Sequence, residues 1–177
     1  MAIIKPNNNT LSAITALPSD FDTITMADQW RLSATWNNPS DGVISANLER
    51  ADDASFEKIG TGMTESSGAF TFPTTGLYLV KLKAVTPNAS GAAANIYIRV
   101  STDSGSSYDS VARIIQGEGN SSTSYDTGYA EALVNVTNVS TFRVRFIVDG
   151  LASAGGVSGN TAYTVTGFTF LRLGGSQ

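Results

Sequence analysis

The 177-residue sequence predicts an all-β fold, an antiparallel two-sheet sandwich, on three observations. From Thr23 onward, short runs alternate apolar and polar residues with period two, separated by clusters of glycine, serine, asparagine and aspartate, which is how strands and tight turns read. Charged residues are only 15% of the chain, while threonine, serine, asparagine and glycine are abundant. That composition suits pleated surfaces and turns, whereas helix surfaces are dressed with lysine and glutamate. No stretch carries a helical apolar stripe beyond a turn or two, and no fixed-period repeat is present.

In chain order, residues 1–22 form a segment of their own, with an Asn7-Asn8-Asn9 tract and broken apolar positions at Ile3, Ile4, Leu11, Ile14 and Leu17. They are expected to make an extended N-terminal arm before a single domain over 23–177. Ten candidate strands follow, near 29–36, 44–50, 56–63, 68–72, 76–86, 94–102, 108–117, 127–138, 141–149 and 161–173, of which one or two are expected to be loops. In 76–86, Tyr78, Val80, Leu82 and Ala84 share one face while Lys81 and Lys83 share the other, so one face is core and one is wet. In 141–149, Phe142, Val144, Phe146 and Val148 oppose Arg143, Arg145 and Ile147, and in 94–102, Ile96, Ile98 and Val100 oppose Tyr97 and Arg99. Turns are expected at Asp41-Gly42, Ser66-Ser67-Gly68, Pro73 to Gly76, Asp103-Ser104-Gly105 and Gly155-Gly156. Strands of this number and spacing pack as a jelly roll.

The net charge of -4 and pI near 4.7 create no field that draws in phosphates, so no nucleic-acid partner is expected. Without cysteine or histidine the chain lacks disulfides, thiol nucleophiles, imidazole bases and the usual zinc ligands, so no catalytic centre and no cofactor are expected. Carboxylates are the remaining acid-base groups, and nearly all of them, Asp52, Asp53, Asp103, Asp109 and Asp149 included, sit at predicted turns or strand ends, where aspartate caps backbone amides. The run Asp103 to Asp109 is rich in oxygen ligands, but its spacing is not that of an EF-hand loop and a hairpin turn accounts for it. No apolar run approaches the roughly 18 to 20 residues needed to cross a bilayer, so no membrane partner is expected. The opening residues lack the apolar run of a secretion signal, which predicts synthesis in the cytoplasm and leaves five glycosylation sequons unmodified. Trp30, Trp36, Tyr108, Tyr125 and Tyr129 are open to two roles, sugar stacking at an exposed end or packing in a core or subunit interface.

The stretch from Gly68 to Val80, with its aromatic strand, turn and Gly76-Leu77-Tyr78, resembles the middle of the complement and tumour-necrosis-factor-like jelly-roll superfamily. The run Thr166-Gly167-Phe168-Thr169-Phe170-Leu171 resembles that superfamily's closing strand. The resemblance implies a homotrimer assembled around the inner sheet, with Tyr78, Val80, Tyr163 and Phe168 at the trimer interface or in the core. The absence of cysteines, collagen-like stalk and signal departs from the secreted members. The Ser/Thr/Asn/Gly-rich composition and the Met-Ala-Ile-Ile-Lys-Pro opening are instead similar to structural proteins of tailed phages.

Two functions are compatible with these observations. One is a capsid decoration or cement trimer on a virion surface, whose arm, through Ile3, Ile4, Leu11, Ile14 and Leu17, binds the major capsid protein. The other is the receptor- or glycan-binding head of a phage fibre. The missing shaft and heptads favour decoration.

Overall fold

The computed structural model describes residues 24–37, 41–87, 94–117, 125–151 and 156–177. The arm residues Ile3, Ile4, Leu11, Ile14 and Leu17 lie outside the described residues. Among the described residues thirteen strands follow in order: β1 (Ala27–Leu32), β2 (Ala34–Trp36), β3 (Gly42–Val43), β4 (Leu48–Arg50), β5 (Thr64–Ser66), β6 (Ala69–Thr71), β7 (Gly76–Pro87), β8 (Asn95–Ser101), β9 (Asp109–Ile115), β10 (Tyr125–Val136), β11 (Arg143–Asp149), β12 (Val157–Asn160) and β13 (Gly167–Gly174). They make a five-stranded sheet in the order β10-β7-β13-β1-β4 and a six-stranded sheet in the order β5-β6-β11-β8-β9, with β3 pairing on β11; β12 and β2 form a small third sheet. Every pairing is antiparallel, and distant strands become neighbours, β7 with β10 and β13, β8 with β11. The chain is an all-β jelly-roll sandwich.

The longest pair, β7 with β10, runs without a register break from Gly76↔Val136 to Pro87↔Tyr125. Its alternation works as the sequence predicts: Tyr78, Val80, Leu82 and Ala84 are buried and Lys81 is exposed. From the opposite sheet Ile96, Ile98, Val100, Val144, Phe146 and Val148 enter the same core. Its centre is aromatic: Phe146 lies 4.3 Å from Phe168, Phe70 lies 5.1 Å from Phe170, and Trp30 meets Phe70 edge-on at 5.3 Å. Tilted and edge-on pairs at these separations add about 0.5–1.5 kcal/mol each beyond area burial.

Three predicted elements differ. Residues 56–63 form no strand and make a single β-bridge to the sheet, Ala27↔Ile59, because Gly60 and Gly62 turn the chain with φ of 69° and 74°. A Cβ on Gly60 would lie 2.4 Å from the Thr25 carbonyl oxygen, so the turn there admits only glycine. The last strand starts at Gly167, not 161, because the Asn160 side chain accepts a hydrogen bond from the Ala162 amide at 2.8 Å and bends the chain away from the sheet. Ile147, placed on the wet face by alternation, is buried: it stands between Val43 of β3 and Tyr97 of β8, and these cover it.

Candidate functional site

Apart from the core, the chain's largest polar investment lies along β1 and β4. Asp28 is fully buried and receives Arg50 through two nitrogens at 2.8 and 3.0 Å, the Met63 amide at 2.8 Å and the Trp30 indole at 3.0 Å. Those four donors saturate the carboxylate, the condition for burying one. Arg31 is equally inaccessible and binds three carboxylates, Glu49 at 2.8 Å, Asp53 at 2.7 Å and Asp52 at 2.5 Å. Both clusters join the sheet edge to the 51–63 connection. All their formal charges are answered within the clusters or at the surface, and they read as structural ties.

The outward face of the five-stranded sheet is different, because it carries large apolar groups that are exposed among the described residues. Strand register arranges them in rows. Ala27, Leu171, Leu79 and Leu133 lie side by side across β1, β13, β7 and β10, and Gln29, Thr169, Lys81 and Glu131 form the next row. Beyond it Tyr129 stands opposite Lys83, and Tyr125 opposite Pro87. Leu133 is 63% exposed and Tyr129 71% exposed. Charge on the face is sparse: Lys81 and Glu131 approach to 3.6 Å, an exposed pair of little energetic weight. Beside Tyr129 a groove of about 600 Å³ is lined by Lys81, Lys83, Thr164, Gly167 and Thr169. Exposed apolar groups of this kind on adjacent strands make the face a candidate interaction surface.

Of the residues singled out from the resemblance, Tyr78, Val80 and Phe168 are fully buried between the sheets. The Tyr78 hydroxyl donates to the Thr74 carbonyl at 2.9 Å, and its ring packs 4.8 Å from Phe72. Tyr163 is 61% exposed, on the bend before β13, and so is not a core residue. The outward face is built instead by the alternate neighbours of the core residues, Leu79 and Leu133 among them, which sequence reasoning did not single out. Tyr129 and Tyr125 were noted as aromatic, but their position on this face required the β7–β10 register. Of the tryptophans, Trp36 is buried and Trp30 packs on the core, so neither offers a sugar a free ring.

The Asp103 turn is a hairpin held by its own side chains and by the Ser104 amide, which donates to the Thr141 carbonyl at 2.9 Å. The carboxylate accepts the Ser107 hydroxyl at 2.6 Å, the Ser107 amide at 2.9 Å and the Ser101 hydroxyl at 2.7 Å. These bonds, the Ser107 hydroxyl first, hold Asp103 at a pKa of about 2.

No sequence-family profile and no curated protein matches the chain. Solved structures do. Murine APRIL superposes with a TM-score of 0.59 at 11% identity, covering 84% of this chain and 98% of that one. Eiger TNF from S. frugiperda superposes at 0.62 and 10% identity, covering 88% and 96%. At this identity the likeness is one of fold: the chain has the jelly roll of tumour-necrosis-factor-like proteins.

Proposed function

We propose that the chain is a non-enzymatic structural protein that assembles as a homotrimer through the outward face of its five-stranded sheet and decorates a viral capsid. The observation that carries the assembly is the exposure of Leu133 and Tyr129 on this face, with half-buried Leu79 and Leu171 continuing the row of Leu133. The inner sheet is the one that the resemblance to tumour-necrosis-factor-like trimers implicates, and here it is the apolar one. Burying a leucine or tyrosine fully is worth roughly 1.5–3 kcal/mol, so three copies of such a face supply a strong drive to associate. The low-charge, Ser/Thr/Asn/Gly-rich composition supports the virion setting, and the apolar positions of residues 1–22 fit an arm that adds contacts to a shell subunit.

Light scattering of the full chain tests the assembly and should give three times 18.5 kDa. A monomer at micromolar concentration sinks it. Shell-binding tests the setting: the trimer should sediment with capsids, and deletion of residues 1–18 should leave it folded and trimeric while sharply reducing attachment, since three arms act together. Unchanged attachment after deletion, or binding only to host surface glycans, replaces decoration with the fibre-head reading.

A further inference from the structure

The outward face of the six-stranded sheet collects positive charge. The β8–β11 register sets Arg145 directly opposite Arg99 and Arg143 opposite Ser101, and β9 adds Arg113 opposite Tyr97. Four of the chain's seven arginines thus share one face of a molecule whose net charge is -4. Arg143 is satisfied, donating to the carbonyls of Val139 at 3.1 Å, Phe142 at 2.7 Å and Ser140 at 3.0 Å. The other three are not. Among the described residues none of Arg99, Arg113 and Arg145 pairs with a carboxylate, and the Nε atoms of Arg99 and Arg145 are buried with no hydrogen-bond partner.

Two features make this arrangement unfavourable on its own. Like charges directly opposite on adjacent strands repel, and a buried donor without an acceptor keeps its full desolvation cost. The nearest acidic turn offers no relief, because the Asp103 carboxylate is already engaged by Ser101 and Ser107. The arginines are nevertheless held in place. The Arg145 guanidinium sits 3.6 Å from the centre of the Tyr108 ring, and those of Arg99 and Arg113 lie 5.2 and 5.9 Å from the Tyr97 ring. A guanidinium resting on an aromatic face leaves its terminal NH2 groups to recognise oxyanions, and with Nε of Arg99 and Arg145 buried it is these Nη groups that an anion would meet.

We propose that Arg99, Arg113 and Arg145 form a binding site for a tetrahedral oxyanion, a phosphate or sulfate group. A carboxylate presents two oxygens in one plane, whereas a tetrahedral oxyanion, dianionic as the free ion and singly charged as a sulfate ester, presents oxygens in several directions, so that it can accept from all three guanidiniums. Stacking of a sugar ring is a weaker fit, since the guanidiniums already lie against Tyr97 and Tyr108. The site stands on the sheet opposite the proposed trimer face and does not depend on that assembly.

Arginine Nε–Hε resonances of the full chain, titrated with sodium sulfate and sodium phosphate against sodium chloride at matched ionic strength, test the site. Arg99 and Arg145 should shift saturably while Arg31 and Arg50 stay fixed. Arg99→Gln and Arg145→Gln should each weaken binding at least tenfold while the thermal transition stays as cooperative as in the parent. Dextran sulfate distinguishes the sources: affinity per sulfate more than a hundredfold above the free ion assigns the site to a polymer-borne group, and equal affinity assigns it to the free ion. Shifts that grow linearly with salt, binding that survives both substitutions, or preferential displacement of sulfate by polyglutamate would overturn the proposal.

Discussion

The two outward faces of this sandwich are made by the same period-two alternation, yet they differ in what they leave unfinished. On the five-stranded sheet the residues between core positions are mainly leucine, tyrosine and threonine, with Gln29, Lys83 and one lysine–glutamate pair, so the unmet need is burial of apolar area. On the six-stranded sheet they include Arg99, Arg113, Arg143 and Arg145, and the unmet need is negative charge. A shared core therefore supports two surfaces with unrelated chemistry. A net charge of -4 conceals the second, because charge that is sparse on average can be concentrated by strand pairing.

The most severe way to break the contrast is to remove what both faces rest on. Phe146 is fully buried and packs on Phe168 of the other sheet and Phe70 of its own. Phe146→Ala should cost about 3–5 kcal/mol in urea unfolding and disturb both faces together. A loss under about 1 kcal/mol would invert the assignment of core and surface, as a one-residue slip of register does.

Asp28→Ala comes next. It leaves Arg50, the Met63 amide and the Trp30 indole without their acceptor and should cost about 3 kcal/mol, measured by the same unfolding curves. Its effect should stay on the five-stranded side of the molecule, which amide exchange of β1 and β4 would register.

Leu133→Glu separates assembly from folding. Because Leu133 is exposed in the single chain, the substitution should change monomer stability by no more than about 0.5 kcal/mol, while the scattering mass falls from the trimer to 18.5 kDa. A trimer that persists would move the interface elsewhere. The same substitution should leave the arginine face untouched, so sulfate-induced shifts persisting in the monomer would show the two surfaces to be separable.

The smallest expected effect is local and depends on pH. Asp103 has its pKa lowered from 3.8 to about 2 in the folded chain, so it favours the folded turn at pH values above 3.8, and that contribution fades as pH falls through about 2. Carboxyl resonances followed by NMR should show Asp103 titrating below the other aspartates, and Ser107→Ala should move its pKa upward, since the Ser107 hydroxyl is the largest cause of the shift. An unchanged titration in the variant would mean that the turn is held by its backbone alone.

Alternation was enough to place Tyr78, Val80, Leu82, Val144, Phe146 and Phe168 inside, and the chain's turn residues were enough to separate most strands. These are local properties: side-chain direction in a strand reverses every residue, and glycine, asparagine and aspartate bend the chain wherever they fall. What alternation could not supply was anything requiring two strands at once. Ile147 reads as a wet-face residue until Val43 and Tyr97 come to lie on either side of it, and residues 56–63 read as a strand until Gly60 must turn against the Thr25 carbonyl. Leu133 and Leu79, or Arg145 and Arg99, are far apart in sequence and carry no common motif. Only pairing across the jelly roll makes them neighbours, because in an antiparallel sheet a surface is a property of register between distant segments, and register is settled by the tertiary fold.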